Sequence, residues 1–512
     1  MILAWLIIIL MAGGLIAWIA ERWSQLLSRW ISLAAVLLDM ILMLLVWVNY
    51  YVNVETPQVD WLILYSKPWI PDFGISFKLG LDGLSILMLL LTFFLGVLAV
   101  LTSWKEITNR VGFYHFNLLW VLAGITGVFV TLDLFLFYFF WEVMIIPMYF
   151  LIGIWGHENK RYAAYKFFIF TQAGGLLMLL AILALYFVHG GATGNYTYDY
   201  TVLLGAQIAP EIARWIMLGF LIAFMVKLPV VPFHTWLPDA HSQAPTAGSL
   251  ILAGLLLKTG AYGIIRFVIP LFPDASREIA WLAMALGVVG ILYGAVLAFA
   301  QTDLKRLVAY TSVSHMGFIM LGIFSFNEIA MQGVVMQIIT HGISTGALFI
   351  LSGSIYERMH TRDITKMGGF WVDMPRMGGI ALVFVMASLG LPGLGNFIAE
   401  FLTLVGAWQA SHILTIFAAI GLVLATAYSL RIAQKVFYGP VVKTHYALSD
   451  LSGREKLVMI PLVVAIILLG LFPQPFLNTS ESSIQTVLQQ SAPGKPVFQS
   501  NDLTEGGTNE SE

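Results

Sequence analysis

Four charged residues interrupt otherwise apolar stretches of this sequence. They are Glu142 in LFLFYFFWEVMIIPMYF, Lys227 just after WIMLGFLIAFMV, Lys258 in ILAGLLLKTGAYG and Glu400 in GLPGLGNFIAEFLTLVG. His315 in TSVSHMGF and His341 in IITHGISTG have similar settings, and His234 and His241 follow the prolines after Lys227. An ionisable side chain inside a membrane span costs roughly 2.5–3.5 kcal/mol on insertion scales, which makes each one a functional candidate. Carboxyl, ammonium and imidazole groups have one capacity in common, the reversible uptake of a proton, and together they point to a proton path. Structural readings stand beside this one. Glu142 and Lys227 read equally as a static ion pair, Lys258 as a packing lysine, and the two histidines as hydrogen-bonding partners of neighbouring helices. His234, Asp239 and His241 bring a metal site to mind, but no further ligands cluster with them, and a role in connecting helices fits them better.

The prolines bear on this choice. Pro229 cannot bond to the carbonyl of Met225, Pro232 leaves that of Leu228 free, and Pro392 in LGLPGLGN leaves that of Ser388 free. Carbonyls freed at membrane depth need water or protein partners, so broken helices are tolerated where they line a hydrated cavity. A break beside Lys227 would solvate the ammonium from within.

The elements that position these groups follow from composition. Of 512 residues, 59% are hydrophobic and 11% charged, against about 25% charged in a soluble domain. The chain therefore reads as an all-α polytopic membrane protein. It has no cysteine, which excludes disulfides, cysteine-ligated clusters and thiolate zinc sites. No basic run points to nucleic acid. The first apolar stretch lacks a basic leader and reads as a span, not a cleaved signal. Apolar runs of span length number fourteen, near 1–20, 30–51, 81–103, 112–132, 134–155, 165–188, 215–233, 245–269, 279–300, 306–325, 329–356, 378–408, 412–437 and 457–472. Only TLD separates the fourth from the fifth.

Lysine and arginine test that arrangement. Two of the 26, Lys227 and Lys258, fall inside spans; loops after odd-numbered spans hold 18 and the other face six. The bias predicts cytoplasmic odd-numbered loops and both termini outside. The tail from 478 is polar and reads as a partly disordered extension.

Spans seven and twelve are both proline-broken, both carry a mid-membrane charge and stand five apart. Spans five and ten, also five apart, hold Glu142 and His315. Five is odd, so a second copy would be inverted. The expected organisation is spans 1–3 over 1–111, one five-helix repeat over 112–269, an inverted repeat over 279–437, a loop and last span over 438–477, and the tail over 478–512. Broken helices at corresponding positions of inverted repeats point to a transport site. No residue-level identity links the halves.

The segment VKLPVVPFHTWLPDAHSQAPTAGSLILAGLLLKTGAYG resembles the antiporter-like membrane subunits of respiratory complex I. FYFFWEVMIIPMYFLIGIWG, DLKRLVAYTSVSHMGF and HGISTGALFILSGSIYERMHTRD match in order, so the resemblance covers nearly the whole chain. Related complex I subunits and antiporter subunits generally carry lysine in span twelve; one branch carries glutamate, as Glu400 does here. The chain also lacks a long lateral helix. The resemblance implies a bacterial inner-membrane protein that translocates protons. It implies that Glu142 and Lys227 form a gating ion pair, that Lys258 is the central relay and that Glu400 is the exit site towards the periplasm. His234, His315 and His341 would lie on the central polar axis. It further implies adjacent antiporter-like subunits L and N, with lipids, as partners. The chain holds no redox motif, so NADH, FMN, iron–sulfur clusters and quinone are expected on other subunits. A multisubunit cation/proton antiporter and a membrane-bound hydrogenase complex share the fold and stay open as alternatives.

Simple electrostatics allows the implied gate. Two charges 4 Å apart interact by about 4 kcal/mol at an effective dielectric of about 20. Closing or opening a Glu142–Lys227 pair is therefore large enough to decide whether Lys227 keeps its proton or passes it towards Lys258.

Overall fold

The computed structural model describes residues 1–53, 61–441 and 448–492. Two of the counted lysines, Lys443 and Lys495, and the tail beyond residue 492 lie outside the described residues.

The long apolar runs form helices because in lipid a backbone must satisfy its own hydrogen bonds. Helices α1 (Ile2–Ala20) and α2 (Gln25–Asn53) precede α3 (Gly83–Glu106), α4 (Val111–Val130), α5 (Leu134–Trp155) and α6 (Lys160–Thr193). Short polar residues set the boundaries. The brief TLD separator ends α4 and starts α5 because Asp133 accepts from the amides of Phe135 and Leu136, each at 3.0 Å. Asp82 caps α3 in the same way, through Ser85 N at 2.9 Å.

The remaining helices divide into whole and broken ones. Helix α7 (Pro210–Lys227) stops at Lys227 itself, and after an irregular stretch the short α8 (Trp236–Gln243) follows. Helix α9 (Thr246–Leu271) carries two π-helical turns, Leu252–Leu256 and Ile264–Val268, on either side of Lys258. Such turns insert a residue into the helical ladder and are frequent at functional sites. Helices α10 (Ala280–Ala300), α11 (Leu304–Ile323) and α12 (Glu328–Met359) are continuous. The second break separates α13 (Pro375–Ser388) from α14 (Gly395–Ala410). Helix α15 (His412–Phe437) ends in a third π-helical turn, and α16 (Gly453–Leu471) and α17 (Gln474–Gln490) follow.

Among the described residues, ten helices are long and apolar enough to cross a membrane, or eleven counting α16 with α17, which bend by 69°. The other expected spans correspond to α7, α11, the α13–α14 pair and α16. Each is shortened by a break or carries Lys, Ser, Thr and His that lower its apolarity. Sequential packing runs alike in two sets: α4 on α5, α5 on α6 and α6 on α7, then α10 on α11, α11 on α12 and α12 on α14. Helices α9 and α12 are buried along their most apolar windows, whereas α1, α2, α6 and α15 face outward over most of theirs.

Three features depart from the sequence reading. A two-stranded antiparallel hairpin, β1 (Ile63–Ile70) and β2 (Ile75–Leu81), precedes α3 and turns through Gly74 at φ 66°. The start of the polar tail, to Gln490, is helical as part of α17, which packs on α3 and α12. Ile484 and Val487 are buried there, enough apolar surface to seat one face of an otherwise polar helix. Arg266 and Lys305, counted as loop charges, are helical and buried.

Helix α17 is seated closely: a Cβ on Gly83 would stand 1.6 Å from the Thr479 carbonyl oxygen. Gly83→Ala should therefore push α17 off the start of α3 and destabilise the protein by about 1–3 kcal/mol or more. Limited proteolysis should then cut within 474–490 faster than in the parent; unchanged protection would show that the contact is dispensable.

Candidate functional site

The central feature is a meeting of α9 and α12. The α-helical stretch between the two π-helical turns presents Lys258, whose Nζ lies 2.6 Å from His341 Nδ1 and 3.6 Å from Met316 Sδ. Both partners of the Lys258–His341 contact are fully buried. A charged Lys258 would donate into the imidazole lone pair, which would place the ring's proton on Nε2. The approach depends on two glycines: a Cβ on Gly342 would stand 3.0 Å from the Gly254 carbonyl oxygen.

From His341 the polar line continues on α11. The rings of His341 and His315 are 5.4 Å apart. His315 Nε2 lies 3.3 Å from the carbonyl of Ser388, 3.4 Å from Tyr428 Oη and 3.7 Å from Glu400 Oε1. The Ser388 carbonyl is the one that Pro392 leaves without its helical donor, so the second break gives His315 a fixed acceptor. Glu400, in α14, is buried, and its Oε1 has no hydrogen-bond partner. Gly390 makes room for it. Its φ is +77°, and a Cβ there would stand 2.5 Å from Glu400 Oε2, so glycine serves both the turn and the close approach. A cavity of about 330 Å³ adjoins this carboxyl, lined by Gly390, Pro392, Phe397, Phe401, Leu422 and Thr426.

Lys227 and Glu142, the pair whose opening and closing the resemblance implies, stand apart in this structure. Lys227 Nζ has no hydrogen-bond partner; it lies over the rings of Trp141 and Phe167, 5.2 and 5.5 Å from their centroids. These π-faces stabilise a desolvated ammonium by roughly 2 kcal/mol. Glu142 is turned instead to Gln172, whose Nε2 donates to it at 3.2 Å, and to Tyr138. It is half-buried, at the seam of α5 and α6. The two charges remain within Coulombic reach without touching. The first break also resolves differently from the expectation. The Met225 carbonyl, which Pro229 cannot serve, accepts from Val230 N at 3.0 Å.

Of the seven expected site residues, Lys258, His341, His315 and Glu400 form one line. Lys227 and Glu142 form a second, open group. His234 joins neither; it lies in the first break, edge-on to the Tyr293 ring at 5.5 Å. His241 stacks on Phe349 at 4.4 Å, and Asp239 pairs with Lys166 at 2.7 Å and Arg306 at 2.9 Å. The possible metal ligands therefore diverge. Sequence reasoning missed Tyr428, Met316 and the ring pair Trp141 and Phe167. It also missed Asp39, buried in α2 with both carboxyl oxygens unpartnered. Asp39 was detectable as the one acid in WISLAAVLLDMILMLLVW; the others carry no charge, and only packing marks them.

Residues 131–426 match the family model described as NADH:quinone oxidoreductase/Mrp antiporter, transmembrane. NADH-quinone oxidoreductase subunit M of Pseudomonas aeruginosa is 54% identical over 498 residues, covering 96% of this chain and 98% of that protein. The Escherichia coli protein of the same name is 51% identical over 499 residues, with coverage of 96% and 98%. A chain of respiratory complex I from Thermus thermophilus superposes with TM-score 0.85 at 31% identity, covering 96% of this chain and all (100%) of that one. A chain of the Mrp complex from a Dietzia species reaches TM-score 0.81 at 21% identity, covering 96% of this chain and 99% of the other, which shows a common fold.

The Lys258–His341 contact generates a stability test. His341→Leu removes the ammonium's nitrogen acceptor and should cost about 1–3 kcal/mol. Lys258→Met should be milder, and the double variant should lose clearly less than the sum of the two. Thermal unfolding of the four purified forms measures this coupling; strict additivity would mean that the two groups do not interact.

Proposed function

The chain belongs to the NADH:quinone oxidoreductase/Mrp antiporter transmembrane family, and from that premise we propose that it works as a proton-translocating membrane-arm subunit of an NADH-quinone oxidoreductase. The observation that carries this reading is the buried line Lys258, His341, His315, Glu400. Each member can hold a proton in one state and release it in the other. The steps wider than a hydrogen bond, between the two rings and from His315 to Glu400, are ones that water carries.

In this reading Lys227 is the loading group. It rests on aromatic faces with Glu142 withdrawn, which is the open form of the gate. Approach of Glu142 would stabilise the ammonium; its withdrawal to Gln172 and Tyr138 weakens the hold and sends the proton to Lys258. Glu400 is the exit, next to a cavity and with no cation fixed on it, so it gains a proton from His315 and loses one when water reaches it. The two breaks belong to corresponding spans of inverted repeats over 112–269 and 279–437. His234 supports the first break. NADH oxidation and quinone reduction, with FMN and iron–sulfur clusters, take place on other subunits, and the neighbours in the membrane are the antiporter-like subunits L and N. The home of the assembly is a bacterial inner membrane with both termini periplasmic.

Glu400 provides the test. Glu400→Gln mimics only the protonated acid and should strongly lower NADH-driven acidification of membrane vesicles, with subunit content unchanged by blot. Glu400→Lys, the residue type that related subunits carry there, should assemble and retain more pumping than Gln. Pumping by the Gln variant at the parent rate would remove Glu400 from the path and leave it a structural buried acid.

Orientation is testable separately in this cysteine-free chain. Phe73 in the hairpin turn is 61% exposed and Trp23 between α1 and α2 is 74% exposed. Phe73→Cys should react with an impermeant thiol reagent in intact spheroplasts, and Trp23→Cys only in inverted vesicles. The reverse pattern would invert the topology.

A further inference from the structure

Helix α9 carries Lys258, Tyr262 and Arg266 at four-residue spacing. Lys258 and Tyr262 fall in one α-helical stretch, Leu257–Gly263, and so occupy one face a turn apart. Tyr262 Oη donates to the Phe129 carbonyl at 2.9 Å and lies 3.2 Å from both Ser85 Oγ and Arg266 Nε. Arg266 reaches on to Asp82 in an ion pair whose side chains are 5% and 6% exposed. The Trp61 ring covers the guanidinium at 4.9 Å, and the Tyr262 ring lies 5.4 Å from it. This column leads from Lys258 to the end of the bundle where the hairpin lies, which is the outer end in the orientation proposed above. It offers a proton on Lys258 a direct descent of about two helical turns, some ~12 Å.

A proton relay needs groups that both accept and donate. The Tyr262 hydroxyl does so. A guanidinium has five N–H donors and no acceptor, and it keeps its charge in proteins. A proton arriving at Tyr262 therefore meets a group that cannot take it on, and a fixed positive charge that repels it, as arginines do in selective pores. We propose that the Arg266–Asp82 pair is a seal that closes this column, so that a proton on Lys258 leaves sideways through His341 and not straight to the outer face. The proposal rests on the relay role of Lys258. Asp82 supplies the counter-charge that keeps the guanidinium in a dry site. It also anchors the seal, because the same carboxyl caps α3. Trp61 excludes water from the outer side.

A simple staple between α3 and α9 would use the same contacts, and replacing the pair by neutral groups of similar size tells the two apart. In proteoliposomes of the whole complex, Asp82→Asn with Arg266→Gln should keep NADH oxidation. It should lose most acidification and show a several-fold rise in proton entry under an imposed pH gradient. Arg266→His keeps a partner for Asp82 but introduces a group that accepts and donates, and it should leak in the same way if the neutral pair does not assemble. Adding Lys258→Ala to either variant should return proton entry to the parent level, because the column then has no source. An assembled Arg266→His complex that pumps fully and stays tight would overturn the seal. So would a leak that persists without Lys258. Lys258→Ala alone reports on the relay itself: full pumping in that variant would sink the relay reading, whatever the Arg266 variants do.

Discussion

An ammonium held against an imidazole in the dry middle of a helix bundle is the interaction on which this structure turns. The π-helical turns on either side of Lys258 in α9, and the close passage of Gly254 and Gly342, bring two backbones near enough for a 2.6 Å contact. Leu95 and Leu91 of α3 press on these same two glycines, so the position of the N-terminal helices is coupled to the pair by direct packing. An isolated charge in this environment would cost many kcal/mol. The imidazole meets part of that cost.

The two broken helices solve the same solvation problem in different ways. In the second, the carbonyl released by Pro392 is used by His315, and the glycine-rich turn leaves space for the Glu400 carboxyl. In the first, the released Met225 carbonyl is recaptured by Val230, and Lys227 is left facing two aromatic rings. A carboxyl at one break and an ammonium at the other thus differ in support as well as in charge. One has an imidazole 3.7 Å away, the other only π-faces, whose attraction falls short of a full ion pair.

Glu142 has two sets of partners within reach: Gln172 and Tyr138, which hold it now, and the Lys227 charge across Trp141. Its half-exposed place at the seam of α5 and α6 means that a neighbouring chain or lipid against that seam would change its solvation.

How much of this was visible beforehand follows from the range of the forces involved. Apolar run length, proline position and the price of burying charge are local quantities, so the sequence alone determined a polytopic helical membrane protein, its broken helices and six charged or imidazole groups placed inside the bundle, from Glu142 to Glu400. The first helix boundary that looked doubtful, at TLD, was legible too, because Asp133 caps whatever begins after it. The hairpin escaped, since its alternation is short and lies beside longer apolar runs. So did α17, whose few apolar residues suffice only because α3 and α12 offer a surface. Which groups meet was decided by tertiary structure alone. Lys258 and His341 are 83 residues apart and His315 and Tyr428 are 113 apart. No local pattern sets such distances; they follow from how glycines and breaks let the helices approach. The same holds for the open state of Glu142 and Lys227: their residue types permit a pair, and the packing of Trp141, Phe167 and Gln172 around them determines that it stands apart.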